Sequence, residues 1–351
     1  MTILFANLHT KNYFCYNKFI KKTIDKGIIM KKEKRKELPV LFVVIPCYNE
    51  EEVLRITYKE FISELQFMIK EKLISSNSKI MYVNDGSKEK TWEIIKDLSK
   101  NKNFCGLCLS RNRGHQNALL AGLMESIDKC DITISIDCDG QDDITCMRKM
   151  VKAYLCGADI VYGVRSSRKK DSFFKRFTAV SFYKLLNKMG VEVIFNHADY
   201  RLVSNKVLKE FSEFKEVNLF LRGMFPLVGF NSTVVYYERE KRVAGKTHYP
   251  LKKMLQLAFD GITSLSVKPL RIFTSLGLIT SIISFGFIIY TIIAHFIGNT
   301  VAGWASTTSI VCFIGGIQLI GIGVLGEYIG KIYMEVKHRP RFIISERKNI
   351  D

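Results

Sequence analysis

Acidic residues are scarce in this 351-residue chain: 34 Asp and Glu stand against 53 Lys and Arg, a formal charge of +19. The imbalance suits anionic partners such as phospholipid surfaces, nucleotide phosphates or nucleic acid, and by itself chooses none of them. No regular spacing runs through the nine cysteines, so nothing indicates a disulfide framework, and reduced thiols in a reducing compartment are expected. Cys105-Gly106-Leu107-Cys108 has the CxxC form, yet no second CxxC or nearby His pair completes a zinc set, and the segment reads as a strand. Residues 1–37 lack the apolar core and small-residue cleavage site of a signal peptide and are read as a basic, disordered extension.

Charge is missing altogether from two long stretches. Residues 272–297 and 304–326 hold 26 and 23 residues without Asp, Glu, Lys or Arg, each more than the roughly 20 needed to cross a hydrocarbon core of about 30 Å. A short uncharged linker from Gly298 to Gly303 joins them, which predicts a transmembrane hairpin over 272–330, with spans 272–297 and 304–330. Lys268 and Arg271 precede it, and Lys331, Lys337, Arg339 and Arg341 follow in a basic tail, 331–351. By the positive-inside rule both termini and the domain before the hairpin face the cytoplasm. Glu327 is expected to pair with Lys331 four residues on. Residues 250–271, with Lys252, Lys253 and Lys268 beside Leu251, Met254, Leu255 and Ile262, read as a basic amphipathic juxtamembrane helix, and 172–189 as a similar interfacial segment. Much of the excess positive charge therefore sits at the termini and beside the spans, which disfavours nucleic acid as the partner.

Short apolar runs alternate with amphipathic ones between residues 40 and 165. Strands are expected at Val40 to Ile45, Lys79 to Val83, Phe104 to Leu109, Ile132 to Ile136 and Asp159 to Val164, with helices beginning near Glu51, Lys88, Gly114 and Asp142. This rhythm predicts an α/β domain over 38–249 with a mostly parallel, Rossmann-like sheet, whose ligands bind beyond the C-terminal strand ends. Four polar loops fall there: Pro46-Cys47-Tyr48-Asn49-Glu50, where Pro46 is expected to stop the ladder; Asn84-Asp85-Gly86-Ser87, with Ser87 a candidate helix cap; Arg111-Asn112-Arg113-Gly114; and Asp137-Cys138-Asp139-Gly140-Gln141. In the last, two carboxylates and an amide oxygen at alternate positions suit a hard divalent cation, which can bridge a diphosphate.

Together these motifs resemble the family 2 glycosyltransferases, inverting enzymes of GT-A fold. Arg111 to Ala118, Gly163-Val164-Arg165, Asp199-Tyr200-Arg201, Phe220-Leu221-Arg222-Gly223 and Arg242-Val243-Ala244-Gly245-Lys246-Thr247 are similar to the polyprenyl-phosphate branch, and the hairpin favours its bacterial members in the plasma membrane. The resemblance implies that Pro46, Tyr48 and Glu50 with Asp85 hold the nucleoside of a nucleotide-sugar donor, and that Arg113 and Asp137 also bind the nucleotide. Asp137, Asp139 and Gln141 would hold Mg²⁺ or Mn²⁺ against the diphosphate. Arg165 is expected at a donor or acceptor phosphate, Arg222 at the acceptor phosphate or in a structural pair with Glu216 or Asp199, and Arg242 with Lys246 over the donor phosphates. Asp199 stands where inverting relatives place a general base, and either acts as one or orients Arg201 or the acceptor. The Gln-x-x-Arg-Trp signature of processive synthases is absent, which favours a single transfer, UDP-glucose to undecaprenyl phosphate first, with GDP-mannose, UDP-N-acetylglucosamine or an aminoarabinose nucleotide as other donors. A membrane-tethered nucleotide-sugar sensor is the non-enzymatic alternative. Some relatives assemble, so a homo-oligomer is one expected state, and neither span carries a GxxxG pattern that selects it.

Overall fold

Leu41, Val43, Ile45 and Cys47 alternate with Phe42 and Val44 along one strand, and because both sets are apolar the strand is buried on both faces. This is β1 (Leu41–Cys47), central in an eight-stranded sheet. The others are β2 (Lys79–Asn84), β3 (Phe104–Leu109), β4 (Ile132–Ser135), β5 (Ile160–Arg165), β6 (His197–Ser204), β7 (Ser232–Tyr237) and β8 (Ile344–Lys348), in the order β7-β5-β6-β4-β1-β2-β3-β8. One set of β1 side chains packs with Phe61 and Leu65 of α1 (Glu51–Lys70), Ile95 of α2 (Thr91–Leu98) and Met150 of α4 (Cys146–Leu155). Phe42 and Val44 pack on the other face with Leu119 and Leu123 of α3 (His115–Glu125) and Phe211 of α5 (Asn205–Phe211). The computed structural model describes residues 35, 37–166, 197–239, 262–264, 266–297 and 303–350. The interfacial segment 172–189, most of 250–271, Arg242 and Lys246 lie outside the described residues.

The five strands expected before residue 166 form within two residues of their apolar runs. Pro46 does not stop the ladder: β1 runs through it to Cys47, whose carbonyl accepts from Asp85 N–H at 2.9 Å. Val44 bonds toward β4, so Pro46, two residues on, would also point its absent N–H that way, and the β1–β4 register already ends at Val44 and Ser135. β1, β2, β3 and β4 are mutually parallel, and β5 is parallel to β7. β6 runs antiparallel between β4 and β5, and β8 antiparallel to β3. A reversed β6 brings its first residues, His197 to Asp199, to the edge where the parallel strands end.

Two long helices follow, α7 (Lys268–Phe296) and α8 (Trp304–Val336). Tyr328 OH donates to Ser266 O at 2.6 Å, Lys331 Nζ reaches Ser264 Oγ at 3.1 Å and also Thr263, and a Cβ on Gly321 would lie 3.5 Å from the Phe273 ring. Contacts that move back along α7 as α8 advances define an antiparallel hairpin. Lys331 thus turns to the hydroxyls before α7 rather than to Glu327. Large apolar side chains such as Leu278, Ile282, Phe285, Leu319 and Ile322 stand exposed along both helices. Among the described residues the stretch Phe313–Val336, of mean hydropathy 1.5, is long and apolar enough to cross a membrane.

Residues 331–351 are not simply a basic tail. α8 continues to Val336, and Glu335 Oε1 accepts from Val217 N at 2.7 Å and Asn218 N at 3.4 Å. The chain then lays β8 along the open edge of β3, where Arg347 forks onto Glu125 at 3.1 Å, Trp92 Nε1 donates to Glu346, and Asn349 Nδ2 donates to Phe104 O at 2.7 Å. Ile350 ends buried. Within 1–37, Arg35 is likewise fastened rather than disordered: it lies 2.6 Å from Asp159 Oδ1 and 3.8 Å over the Tyr154 ring.

Candidate active site

The loops at the ends of β1, β2 and β3 clasp one another through backbone groups. Asn49 N–H donates to Ser87 Oγ at 3.0 Å, and Lys88 N–H to Asn49 Oδ1 at 2.9 Å. Ser87 is therefore spent on the neighbouring loop and caps no helix; α2 starts at Thr91. Gly86 has φ +62, and a Cβ there would come within 2.5 Å of the Arg111 carbonyl carbon, so only glycine lets these loops meet. The buried Asp85 carboxylate accepts from Arg113 N at 2.7 Å and Gly114 N at 2.9 Å. Burial raises its pKa above the ordinary value, although both N–H groups pull the other way. Pro46, Tyr48, Glu50, Asp85 and Arg113 thus share one end of the sheet, with the Tyr48 ring 42% exposed and open to stacking.

The centre of the edge lies where β4 and β6 leave the sheet. Ser135 pairs with Arg201 at the end of the β4–β6 register and donates from Oγ to Asp199 O at 2.6 Å, and Asp137, two residues on, lies near enough for the Asp199 charge to bear on it. His115, opening α3, contacts Asp137 through Nε2 at 2.9 Å. Burial would raise the Asp137 carboxyl, but the His115 hydrogen bond and charge outweigh it and hold the carboxyl below its usual value. Reciprocally, burial pushes His115 down and Asp137 more than restores it, leaving the imidazole pKa raised.

Asp199 is almost wholly buried and fully engaged. Arg201 Nη2 donates to Oδ1 at 2.5 Å, Arg222 donates from Nε to Oδ1 at 3.2 Å and from Nη2 to Oδ2 at 2.9 Å, and Gln116 Nε2 donates to Oδ2 at 3.3 Å. Burial opposes ionisation here, yet Arg222 and then Arg201 hold the carboxyl far below the normal range. Gln116 Oε1 accepts from Leu221 N at 3.1 Å, and Arg201 Nη1 donates to Leu221 O at 3.1 Å. The backbone of Leu221, which opens α6 (Leu221–Met224), is held through both its N–H and its carbonyl, next to Arg222. Of the two structural partners open to Arg222, Asp199 is the one it takes.

The turn after Asp137 carries Asp139, which is 8% exposed and accepts from Gln141 N–H at 3.1 Å, and Gly140, with φ +66. Gln141 Oε1 accepts from Arg239. Next comes buried Asp142, whose Oδ1 accepts from Tyr237 OH at 2.7 Å and Arg165 Nη2 at 3.3 Å. Among the described residues no group of three His, Cys, Asp or Glu side chains is placed to hold a metal ion. Two hard carboxylates are nonetheless what Mg²⁺ or Mn²⁺ uses when substrate phosphates complete its shell, so the chemistry of Asp137 and Asp139 suits such an ion, while the Gln141 amide oxygen is taken up by Arg239. His115, Gln116, Asp142 and Tyr237 were not singled out from the sequence. The first two lie inside a recognised loop motif, but Tyr237 ends an ordinary-looking strand.

Residues 42–212 match the model of glycosyl transferase family 2, and residues 268–332 match that of the GtrB C-terminal hairpin. YkoT, an uncharacterized glycosyltransferase of Bacillus subtilis (strain 168), is 51% identical over 308 residues, covering 88% of this chain and 91% of that protein. The bactoprenol glucosyl transferase of Shigella phage SfX is 42% identical over 309 residues, covering 87% and 99%. Glucosyl-3-phosphoglycerate synthase from Mycobacterium tuberculosis shares 16% identity at a TM-score of 0.42, covering 65% of this chain and 79% of that one, a likeness too remote to bear on function. With the sheet module and the hairpin both matched in order, the chain belongs to glycosyltransferase family 2 and is a glycosyltransferase carrying a GtrB-type C-terminal hairpin.

Proposed function

We propose that the chain transfers one sugar from a nucleotide-sugar donor, UDP-glucose first among the candidates, to a polyprenyl phosphate at the membrane surface, with inversion at the anomeric carbon. The observation that carries this reading is the meeting of Asp137, Asp199 and Arg222 at one sheet edge, on a sheet to which the apolar hairpin is itself joined through β8. The similarity to bactoprenol glucosyl transferases supports the acceptor class.

In this reading Tyr48 stacks on the base and Asp85 shapes the pocket that Pro46, Glu50 and Arg113 complete. Asp137 and Asp139 would hold a divalent cation, which when bound would supply charge neutralisation to the departing diphosphate. Arg222, aimed by Asp199, receives the acceptor phosphate, Arg165 grips a phosphate, and Arg242 with Lys246 serves the donor side. An acceptor phosphate oxygen forms the bond to the anomeric carbon as the bond to the diphosphate breaks, and the nucleoside diphosphate leaves with that electron pair. A phosphate monoester is mostly dianionic at neutral pH, with a second pKa of about 6, so no base must deprotonate it. Asp199, saturated with donors and weakly basic, acts by orienting the two arginines. The hairpin contributes proximity by keeping the donor site at the headgroup plane. In this reading the hairpin enters and leaves on the catalytic side, which the pairing of β8 with β3 supports, and the Lys and Arg residues that flank it favour the cytoplasm as that side.

The test is radiolabel transfer by the purified protein with undecaprenyl phosphate, Mn²⁺ and a panel of nucleotide sugars. A lipid-soluble product is expected. Nucleotide binding without product from any donor would favour a sensor instead. Asp139→Ala should reduce metal-dependent transfer by at least about a hundredfold while the protein stays in the membrane fraction; undiminished transfer would remove the cation assignment.

A further inference from the structure

Beside the carboxylates assigned to the cation lie two buried side chains that the reaction has not used, Asp142 and Tyr237. Tyr237 closes β7 as the register partner of Arg165, which closes β5. Its hydroxyl donates to Asp142 Oδ1 at 2.7 Å and accepts from Arg165 Nε at 3.3 Å, while Arg165 Nη2 reaches the same Asp142 oxygen at 3.3 Å. Two contacts along one edge fix the plane of a guanidinium, a group with five donors in a rigid fork. The Tyr237 ring is itself held edge-on against Tyr200, with centroids 5.3 Å apart, and Tyr200 OH donates to Asp143 O at 3.0 Å. Asp142 also forms a backbone bridge with Arg239, whose side chain grips Gln141. The acidic turn and the ends of β5 and β7 are thereby tied into one unit, in which the Arg165 side chain is 20% exposed against 1% for Asp142.

We propose that Tyr237 and Asp142 are positioning residues that hold the Arg165 guanidinium in the orientation in which it meets a phosphate of the reaction. The inference rests on reading Arg165 as a phosphate ligand. A plain ion pair would need only Asp142 and Arg165. The phenol inserted between them adds direction, because it donates to one partner and accepts from the other. Loss of that hydroxyl leaves the charges in place and removes one of the two contacts along that edge of the guanidinium.

A double-mutant cycle on sugar transfer by the full chain in detergent tests this, with Tyr237→Phe crossed with Arg165→Lys, which retains the charge beside Asp142. Tyr237→Phe should lower kcat/KM about tenfold in the parent and less than about twofold in the Arg165→Lys background. Asp142→Asn should show the same coupling. An equal loss from Tyr237→Phe in both backgrounds, or no loss in the parent, overturns the positioning role and leaves Arg165 as a phosphate ligand. If Arg165→Lys itself transfers like the parent, the reading of Arg165 falls and this inference with it.

Discussion

Asp199 receives hydrogen bonds from Arg201, Arg222 and Gln116, and that convergence decides what it can do. Its folded pKa is depressed, so the stabilisation it provides is fully present above the unfolded carboxylate value of about 4 and is lost as pH falls toward the folded value. Asp199→Asn should therefore cost about 3 kcal/mol at pH 7, because the buried Arg201 and the part-buried Arg222 lose their counter-charge, and about 1 kcal/mol less at pH 3, roughly one unit below the unfolded value. Thermal melts at the two pH values check the sign; an equal loss at both would mean that the carboxylate charge is not what stabilises the site. That Asp137 and Asp139 sit just beyond the end of β4 was legible in the sequence, because they follow the apolar run Ile132 to Ile136 directly. Gln116 was not, since an amide at the start of a helix looks the same whether it faces solvent or bridges Asp199 to the Leu221 peptide.

Among the elements, α3 shows how closely the layers meet. A Cβ on Gly122 would lie 2.3 Å from Val44 Cγ1 and 2.8 Å from Val83 Cγ2, so the helix seats directly on β1 and β2. Gly122→Ala should destabilise by about 1–3 kcal/mol despite alanine's better helix propensity, because overpacking outweighs it. Urea unfolding measures this, and a stabilised variant would show that the helix can shift. The first five strands could be read from their apolar runs, whereas β6 was seen only as a chemical motif. His197 to Ser204 mixes His, Asp, Arg and Ser with apolar residues, and the charged pair at its centre is buried with partners on α6 and α3: Asp199 takes Arg222 and Gln116, and Arg201 reaches Leu221 O. Reversal of β6 then brings Asp199 near Asp137, a proximity that spacing along the chain could not reveal.

For the whole molecule, the return of the chain after the hairpin matters most. β8 covers the edge of β3, whose residues Phe104 to Leu109 would otherwise offer an apolar strand with open hydrogen-bonding groups. Deleting residues 344–351 should lower the Tm by about 5 °C and promote aggregation of the detergent-solubilised protein. An unchanged melt would show β8 to be dispensable. The sequence by itself determined the alternating α/β module, the acidic turn after β4 and the long uncharged stretches, because each depends on local apolar periodicity or on the absence of charge over a span. Only the tertiary structure decided that Ile344–Lys348 is a strand, that Arg222 takes Asp199, and that Tyr237 stands between Asp142 and Arg165. Those outcomes join residues far apart in the chain, and their hydrogen bonds exist only once burial has removed water as the competing partner.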